Sequence, residues 1–274
     1  MLAMQKRHLS TRRAVLALML ALSAGSAPAA PREIAAWTYL DSPPYITDPV
    51  SNAGLMRDLV DYLNQALAGR YHYTLAVIPR ARLNLMLEHG ERGVVLLAPS
   101  VVFDGPYLRS DALLDDRQEL LSRKDQPIEY HGAGSLNQIN LGGMRGHSYP
   151  FIQADIDAGR VHVHRAQSEA ALLKMLMAKR LDAVTMAGTS AHYLAKISPE
   201  AQAGLHYSQT NLGRFSRQLM FQAGMQTERD AVNSVVRAMA DDPVWRATLA
   251  RYGLQPAARL HQAGGAPEHP LNRQ

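Results

Sequence analysis

Residues 33–78 decide the fold of this chain, and their sequence is EIAAWTYLDSPPYITDPVSNAGLMRDLVDYLNQALAGRYHYTLAVI. The apolar stretch 33–40 predicts a β-strand, which the turn-forming residues 41–45 end. Across 54–68 the apolar residues recur every three or four positions, which is typical of an amphipathic helix. Residues 71–78 again predict a strand. A strand, a helix and a strand in this order form the unit from which parallel sheets are built.

Strands and helices continue to alternate along most of the remaining chain. Further strands are predicted at 94–98, 113–123, 139–143, 161–165, 182–186, 205–208 and 218–223. Further helices are predicted at 81–89, 149–158, 168–179, 189–197, 227–240 and 243–252. This alternation predicts an α/β architecture with mostly parallel sheets. A break near 124–130 and a long returning helix predict two lobes with two connections, and a ligand cleft at the carboxyl ends of the strands.

The basic charge of the chain is concentrated at its amino terminus. The 274 residues contain 29 Lys and Arg against 24 Asp and Glu, a formal charge of +5. Residues 1–29 hold four of the cationic side chains and no acid, so the rest of the chain is almost neutral. Nucleic-acid binding usually needs a broad basic surface. We therefore expect no nucleic-acid partner.

Residues 1–29 have the order of an export signal peptide. Basic side chains come first, an apolar run follows at 14–24, and small residues lead to the cleavage motif Ala-Pro-Ala at 27–29. We expect cleavage near Ala29 and a periplasmic mature protein. The apolar run is too short to span a bilayer. The paired arginines in 11–16 leave both the general secretory and the twin-arginine routes open.

The residue types present favour binding over catalysis. The chain has no cysteine, which excludes disulfides, a thiol nucleophile, cysteine-bound metal and a lipid anchor. His162 and His164 share a strand face and could bind a metal, but spacing places no third ligand, and two exposed histidines are the alternative. No hydrolase or nucleotide-binding motif is present. We expect no metal, no cofactor and no enzymatic activity.

Five short motifs occur in an order that resembles one protein family. They are 37–45 (WTYLDSPPY), 54–59 (GLMRDL), 79–83 (PRARL) followed by Gly90, 179–184 (KRLDAV) and 244–253 (VWRATLARYG). Together they resemble bacterial periplasmic solute-binding proteins of the amino-acid-binding type, that is, solute-binding family three with the type II periplasmic binding fold. The motifs span most of the predicted mature protein.

The resemblance implies a two-lobe clamshell in which each lobe is a mostly parallel sheet flanked by helices. Lobe one would comprise 30–124 and the return segment 214–253, lobe two would comprise 125–213, and 254–274 would be a flexible tail. A small-molecule ligand would bind between the lobes, and hinge closure would bury it. An inner-membrane ABC permease would recognise the closed monomer.

Two ligand-binding residues of that family are missing here. In its amino-acid binders, an arginine in a T-x-x-R segment binds the α-carboxylate, but residues 98–104 contain no arginine. An aspartate after the D-A-V strand usually binds the α-amino group, and here Ala187 stands there. We therefore expect a small polar or anionic, amino-acid-related solute rather than an ordinary α-amino acid.

Five candidate ligand contacts lie in lobe one. Tyr39 and Tyr45 flank the Pro-Pro turn and offer aromatic area with a polar tip, or else pack within their loop. Arg80 lies where a strand becomes a helix, and it either binds an anion in place of the missing arginine or is a solvated helix start. Asp41 either binds an amine or caps the turn. Ser100 lies in the segment that lacks the family's arginine.

Four candidate contacts lie in lobe two. Gly146, His147 and Ser148 form the turn into a helix, where free N–H groups and the helix dipole favour a carboxylate or phosphate. Thr189 begins another helix, and its hydroxyl either binds ligand or caps that helix.

Three functions remain open on this scaffold. The first is capture of a solute for ABC-type uptake. The second is a ligand-sensing module for a membrane receptor. The third is a periplasmic dehydratase-like enzyme, which would need a cleft acid or base with a perturbed pKa. Because Glu88, Glu91 and Asp104 are not convincingly placed for that role, uptake is the favoured prediction.

Overall fold

The computed structural model describes residues 30–198 and 203–257. The predicted export signal, 1–29, lies outside the described residues, as does 258–274 of the predicted tail. Over the described ranges, no helix has both the length and the apolar character needed to cross a membrane.

Ten strands and seven helices are found in the described ranges. The strands are β1 (Arg32–Thr38), β2 (Tyr71–Val77), β3 (Val94–Pro99), β4 (Leu108–Arg109), β5 (Leu114–Arg123), β6 (Asn140–Met144), β7 (His162–Ala166), β8 (Ala183–Ala187), β9 (Leu205–Tyr207) and β10 (Gly213–Phe221). The helices are α1 (Leu55–Ala66), α2 (Arg80–Glu88), α3 (Gln153–Asp157), α4 (Glu169–Met177), α5 (Gly188–Ile197), α6 (Gln226–Met239) and α7 (Pro243–Arg251).

Most of these bounds agree with the predicted ones, and two differ for a physical reason. β10 begins at Gly213 rather than at 218, because its first half is held by pairing with β5 and not marked by an apolar pattern. The helix predicted at 149–158 is a 3-10 turn, Pro150–Ile152, followed by the short α3. The short strand β4 has no sequence signal.

The sheet consists of two parallel groups joined by two antiparallel strands. β1 pairs in parallel with β2 and β3, and β6 pairs in parallel with β7 and β8. β10 lies antiparallel beside β3, and β5 lies antiparallel beside β8. β5 and β10 also pair with each other, which gives the strand order β2-β1-β3-β10-β5-β8-β6-β7. This confirms the predicted α/β class, with parallel pairing inside each group and antiparallel pairing along the crossing strands.

Each parallel group has its own hydrophobic core, and we call the two groups lobe one and lobe two. The core of lobe one joins β1–β3 to α1, α6 and α7, with Leu59 and Trp245 fully buried in it. Lobe two has one cluster on each face of its sheet, as the alternation of Ala183 and Val184 between the clusters shows. Exact lobe boundaries at 124/125 and 213/214 remain a prediction.

A buried ion pair joins the two strands that cross between the lobes. Nε of Arg217 on β10 donates to Oδ2 of Asp116 on β5 at 2.6 Å, and both side chains are almost fully buried. The other oxygen of Asp116 accepts a hydrogen bond from the backbone N–H of Thr189, at the start of α5. Nη1 of Arg217 donates to the carbonyl oxygen of Leu97, a residue with a left-handed φ of 49°. The guanidinium therefore helps to hold a strained position in β3.

We expect Asp116→Asn to lower the free energy of unfolding by about 3–5 kcal/mol, because Arg217 would remain as a buried charge without its ionised partner. Urea denaturation measures this. Asp241→Asn is the control, because it breaks an ion pair with Arg246 in which both side chains are more than half exposed. That change should cost less than about 1 kcal/mol. Equal effects of the two substitutions would contradict the structural role of Asp116.

Candidate ligand-binding site

A cavity of about 70 Å³ lies where the two lobes meet. Its lining residues lie at the carboxyl ends of the parallel strands, which is the edge at which open α/β sheets bind ligands. Its polar and aromatic lining comprises Tyr39, Asp41, Ser42, Tyr45 and Arg80 from lobe one, His147, Ser148, Tyr149, Phe151, Glu169, Thr185 and Ser190 from lobe two, and Gln118, Phe215 and Arg217 from the crossing strands.

Six of the nine residues predicted as ligand contacts line this cavity. They are Tyr39, Asp41, Tyr45, Arg80, His147 and Ser148. Gly146 lies behind them with a left-handed φ of 76°, and a Cβ there would lie 3.5 Å from Cβ and Cγ of Arg80. That distance is an ordinary van der Waals contact, so it is the left-handed φ of the turn that favours glycine here. Whether each lining residue contacts a ligand remains a prediction.

Ser100 and Thr189 lie outside the cavity lining. The backbone N–H and hydroxyl of Ser100 bond to the backbone of Ser216, which fastens the end of β3 to β10. Thr189 lines a separate cavity of about 510 Å³, together with Asp116 and Arg117 of β5. It does not cap α5 either, because that helix begins at Gly188 and has no side-chain cap. The backbone N–H of Thr189 is instead bonded by Asp116.

The guanidinium of Arg80 packs against two aromatic rings. Its guanidinium carbon lies 3.9 Å from the ring centre of Phe103 and 4.6 Å from that of Tyr39. Its Nε donates to Oδ1 of Asn84, one turn later on α2. The side chain is half-buried, which contradicts the alternative of a solvated helix start. Because Asn84 uses Nε, an anion in the cavity would meet the two Nη groups.

Arg217 is a second cation at the cavity, and no sequence pattern indicates it. Its Nε and Nη1 are committed to Asp116 and to the carbonyl oxygen of Leu97, and no hydrogen bond from Nη2 is found among the described residues. The rings of Tyr45 and Phe215 lie about 5 Å from its guanidinium carbon. The cavity therefore holds two cationic groups although the family's arginine is missing.

His147 lies against Tyr39 across the lobe interface, with the ring centres 5.4 Å apart and nearly perpendicular. Burial lowers the pKa of its imidazole to about 4, and the nearby cations Arg80, Arg217 and Arg165 act in the same direction. The ring is therefore neutral near pH 7 and offers one donor and one acceptor. Nη1 of Arg165 donates to the carbonyl oxygens of His147 and Met144, which fixes the turn.

Glu169 is a buried acid at the cavity to which the sequence assigned no role. It is the first residue of α4, which Ser168 caps, because Oγ of Ser168 accepts a bond from the N–H of Ala171. Ser42 of lobe one donates its hydroxyl to Oε2 of Glu169 at 3.0 Å. Burial raises the pKa of the carboxyl to about 7. Acidic residues are common in the first turn of a helix, so the sequence alone does not distinguish Glu169 as a functional residue.

The two histidines on β7 that could bind a metal by their spacing lie at the surface. His162 and His164 are both exposed, and the ring of His164 bonds to the side chain of Asn140. Across 30–198 and 203–257, no three His, Cys, Asp or Glu side chains are grouped so that they could hold a metal ion.

The loop that carries Tyr45 is fastened to the start of α1. The backbone N–H groups of Leu55 and Met56 donate to the carbonyl oxygens of Pro44 and Tyr45. This close approach requires a glycine before the helix. Gly54 has a φ of 132°, and a Cβ there would lie 2.5 Å from the carbonyl oxygen of Tyr45. The motif at 54–59 thus positions one wall of the cavity.

Comparison with known proteins finds similarity in structure alone. No protein-family model and no curated protein sequence matches this chain. A mutant of ArgBP from T. maritima is 16% identical, with a TM-score of 0.67 over 80% of this chain and 94% of that chain. A putative L-cystine ABC transporter from Listeria monocytogenes is 13% identical, with a TM-score of 0.67 over 81% and 95%. The GluR0 ligand-binding core from Nostoc punctiforme, in complex with L-glutamate, is 11% identical, with a TM-score of 0.65 over 81% and 99%.

These structures confirm the fold that the five motifs predict. The chain has the type II periplasmic-binding-protein fold, with two α/β lobes joined by crossing strands. At such low identities, the similarity concerns the fold and not the ligand.

We expect Gly54→Ala to lower the free energy of unfolding by about 2–4 kcal/mol, because it adds backbone strain and a steric overlap with Tyr45. Gly69→Ala is the matched control. It also has a left-handed φ, of 78°, but no atom lies within 4 Å of its added Cβ. We expect it to cost about 1 kcal/mol. Urea denaturation compares the two, and equal costs would contradict the close approach at Gly54.

Proposed function

We propose that this protein is a periplasmic substrate-binding protein that captures a small polar or anionic, amino-acid-related solute for ABC-type uptake. The observation that carries the proposal is the interlobe cavity, to which each lobe contributes charged or polar side chains. Arg80 and Tyr39 come from lobe one, and His147 and Glu169 come from lobe two. The fold shared with ArgBP and with the putative L-cystine ABC transporter supports it.

Closure would couple ligand binding to recognition by a permease. A solute that touches both Arg80 and His147 makes more contacts when the lobes are closed than when they are open. Binding therefore shifts the lobes towards the closed form, by as much as the affinities for the two forms differ. The small volume of the cavity, about 70 Å³, favours a compact solute over an extended chain.

A thermal-shift screen of the purified protein tests this function. The compounds are amino acids, organic acids, amines and small peptides. A ligand at about 100 times its Kd adds about 2.7 kcal/mol of stability, which raises Tm by several degrees. Recovery of the bound compound unchanged would support binding without turnover, whereas a converted compound would identify an enzyme on this scaffold. No shift with any compound would contradict the capture of such solutes.

We expect Arg80→Ala to weaken the binding of an anionic ligand at least tenfold, because a hydrogen bond to a charged group contributes about 1.5–3 kcal/mol. Isothermal titration calorimetry with the best compound from the screen measures the change. Arg82→Ala is the matched control, since Arg82 lies on the same helix, is exposed and does not line the cavity. Unchanged affinity after Arg80→Ala would remove Arg80 from the site.

A further inference from the structure

Among the buried carboxyl groups of the described residues, Glu169 differs from the others in having no cation beside it. Asp116, Glu119, Asp155 and Glu228 each form an ion pair with an arginine. No lysine, arginine or histidine nitrogen in the described ranges lies within 4.0 Å of the carboxyl oxygens of Glu169. A buried charge is costly unless it is paired. The unpaired acid is the one that lines the interlobe cavity.

The groups that surround Glu169 do not supply a free positive charge for its carboxylate. Ser42 donates its hydroxyl from lobe one, and the hydroxyl of Ser190 lies beside the carboxyl on lobe two. The titratable and charged groups that face it from the neighbouring elements are Asp41, Tyr45, Tyr149 and Arg217. Arg217 is already paired with Asp116, and Asp41 adds a like charge. Ionised Glu169 therefore lacks a cationic partner of its own among the residues that the structure describes.

We propose that the ligand supplies the missing cation, so that a protonated nitrogen of the solute pairs with Glu169 while its anionic group pairs with Arg80. The proposal rests on the proposed function and adds the second charge of the ligand. It also provides an acid on lobe two in place of the aspartate that the family has at the position of Ala187. Glu169 and Ala187 both line the cavity, so the acid of lobe two comes from the start of α4 and not from the end of β8.

Binding of such a ligand must involve a proton. A cation beside Glu169 stabilises its carboxylate and lowers the carboxyl pKa. Below about pH 7 the free protein holds this carboxyl mainly protonated, and binding releases the proton. Affinity should therefore rise as pH increases from 5.5 to 7.5, by up to about tenfold per pH unit, and then level off. The ligand amine stays protonated over this range.

Matched pairs of compounds test the proposal by calorimetry. Each pair shares a carboxylate and differs in one cation: β-alanine with propionate, 4-aminobutyrate with butyrate, and L-arginine with L-citrulline. We expect the compound with the additional cation to bind at least tenfold more tightly in at least one pair at pH 7.5. Titrations in MES and in bis-Tris, which both buffer near pH 6 and differ in ionisation enthalpy, count the protons released at pH 6. These measurements use the unmodified protein, so they do not depend on the folding of a variant.

Variants then assign the effect to one residue. Glu169→Gln should reduce the preference within the pair to less than twofold and remove the pH dependence. Glu228→Gln is the matched control, because Glu228 is another buried glutamate but lies on α6, away from the cavity. A preference and pH dependence that survive Glu169→Gln would overturn the proposal, as would anions that bind without any benefit from an added cation. If no compound of either kind binds, the proposed capture function itself is contradicted.

Discussion

The buried ion pair between Arg217 and Asp116 is the interaction on which the rest of the structure depends. It ties together β5 and β10, the two strands that cross between the lobes. Through Asp116 it holds the backbone N–H of Thr189 at the start of α5, and through Arg217 it holds the carbonyl oxygen of Leu97, whose backbone is strained. The same guanidinium forms part of the cavity wall. The pairing of the crossing strands and the wall of the interlobe cavity therefore share one electrostatic centre.

The parts of the fold that the sequence predicts are those that depend on local pattern. The period of the apolar residues places α1, and the turn residues after 40 place the loop of Tyr45. The glycine at 54 marks the start of that helix because a backbone carbonyl occupies the space of a side chain. Six candidate contacts line the cavity because a strand end or a helix start is visible in sequence, and these features converge at one edge of the sheet.

The features that the sequence does not predict are contacts between distant residues. Ser42 and Glu169 are 127 residues apart, and Asp116 and Arg217 are 101 residues apart. Nothing near Arg217 distinguishes it from other arginines beside a strand, and burial alone makes it important. Ser100, by contrast, is a residue that the sequence predicts as a ligand contact and that does not line the cavity. It lies in the segment where the family has its arginine, but its hydroxyl is used by the backbone of the neighbouring strand.

The positions of the charged groups have a consequence for how this protein can diversify. Glu169 and Arg80 are carried by helices of separate lobes, and neither is bonded to the crossing strands. Arg217 is carried by a crossing strand, and it pairs with the other crossing strand as well as lining the cavity. Under the proposed function, an exchange at either lobe position would alter which solutes are accepted and would leave the ion pair between the crossing strands in place. The charges of the cavity can thus diversify separately from the joint between the lobes, with Arg217 as the fixed residue that belongs to both.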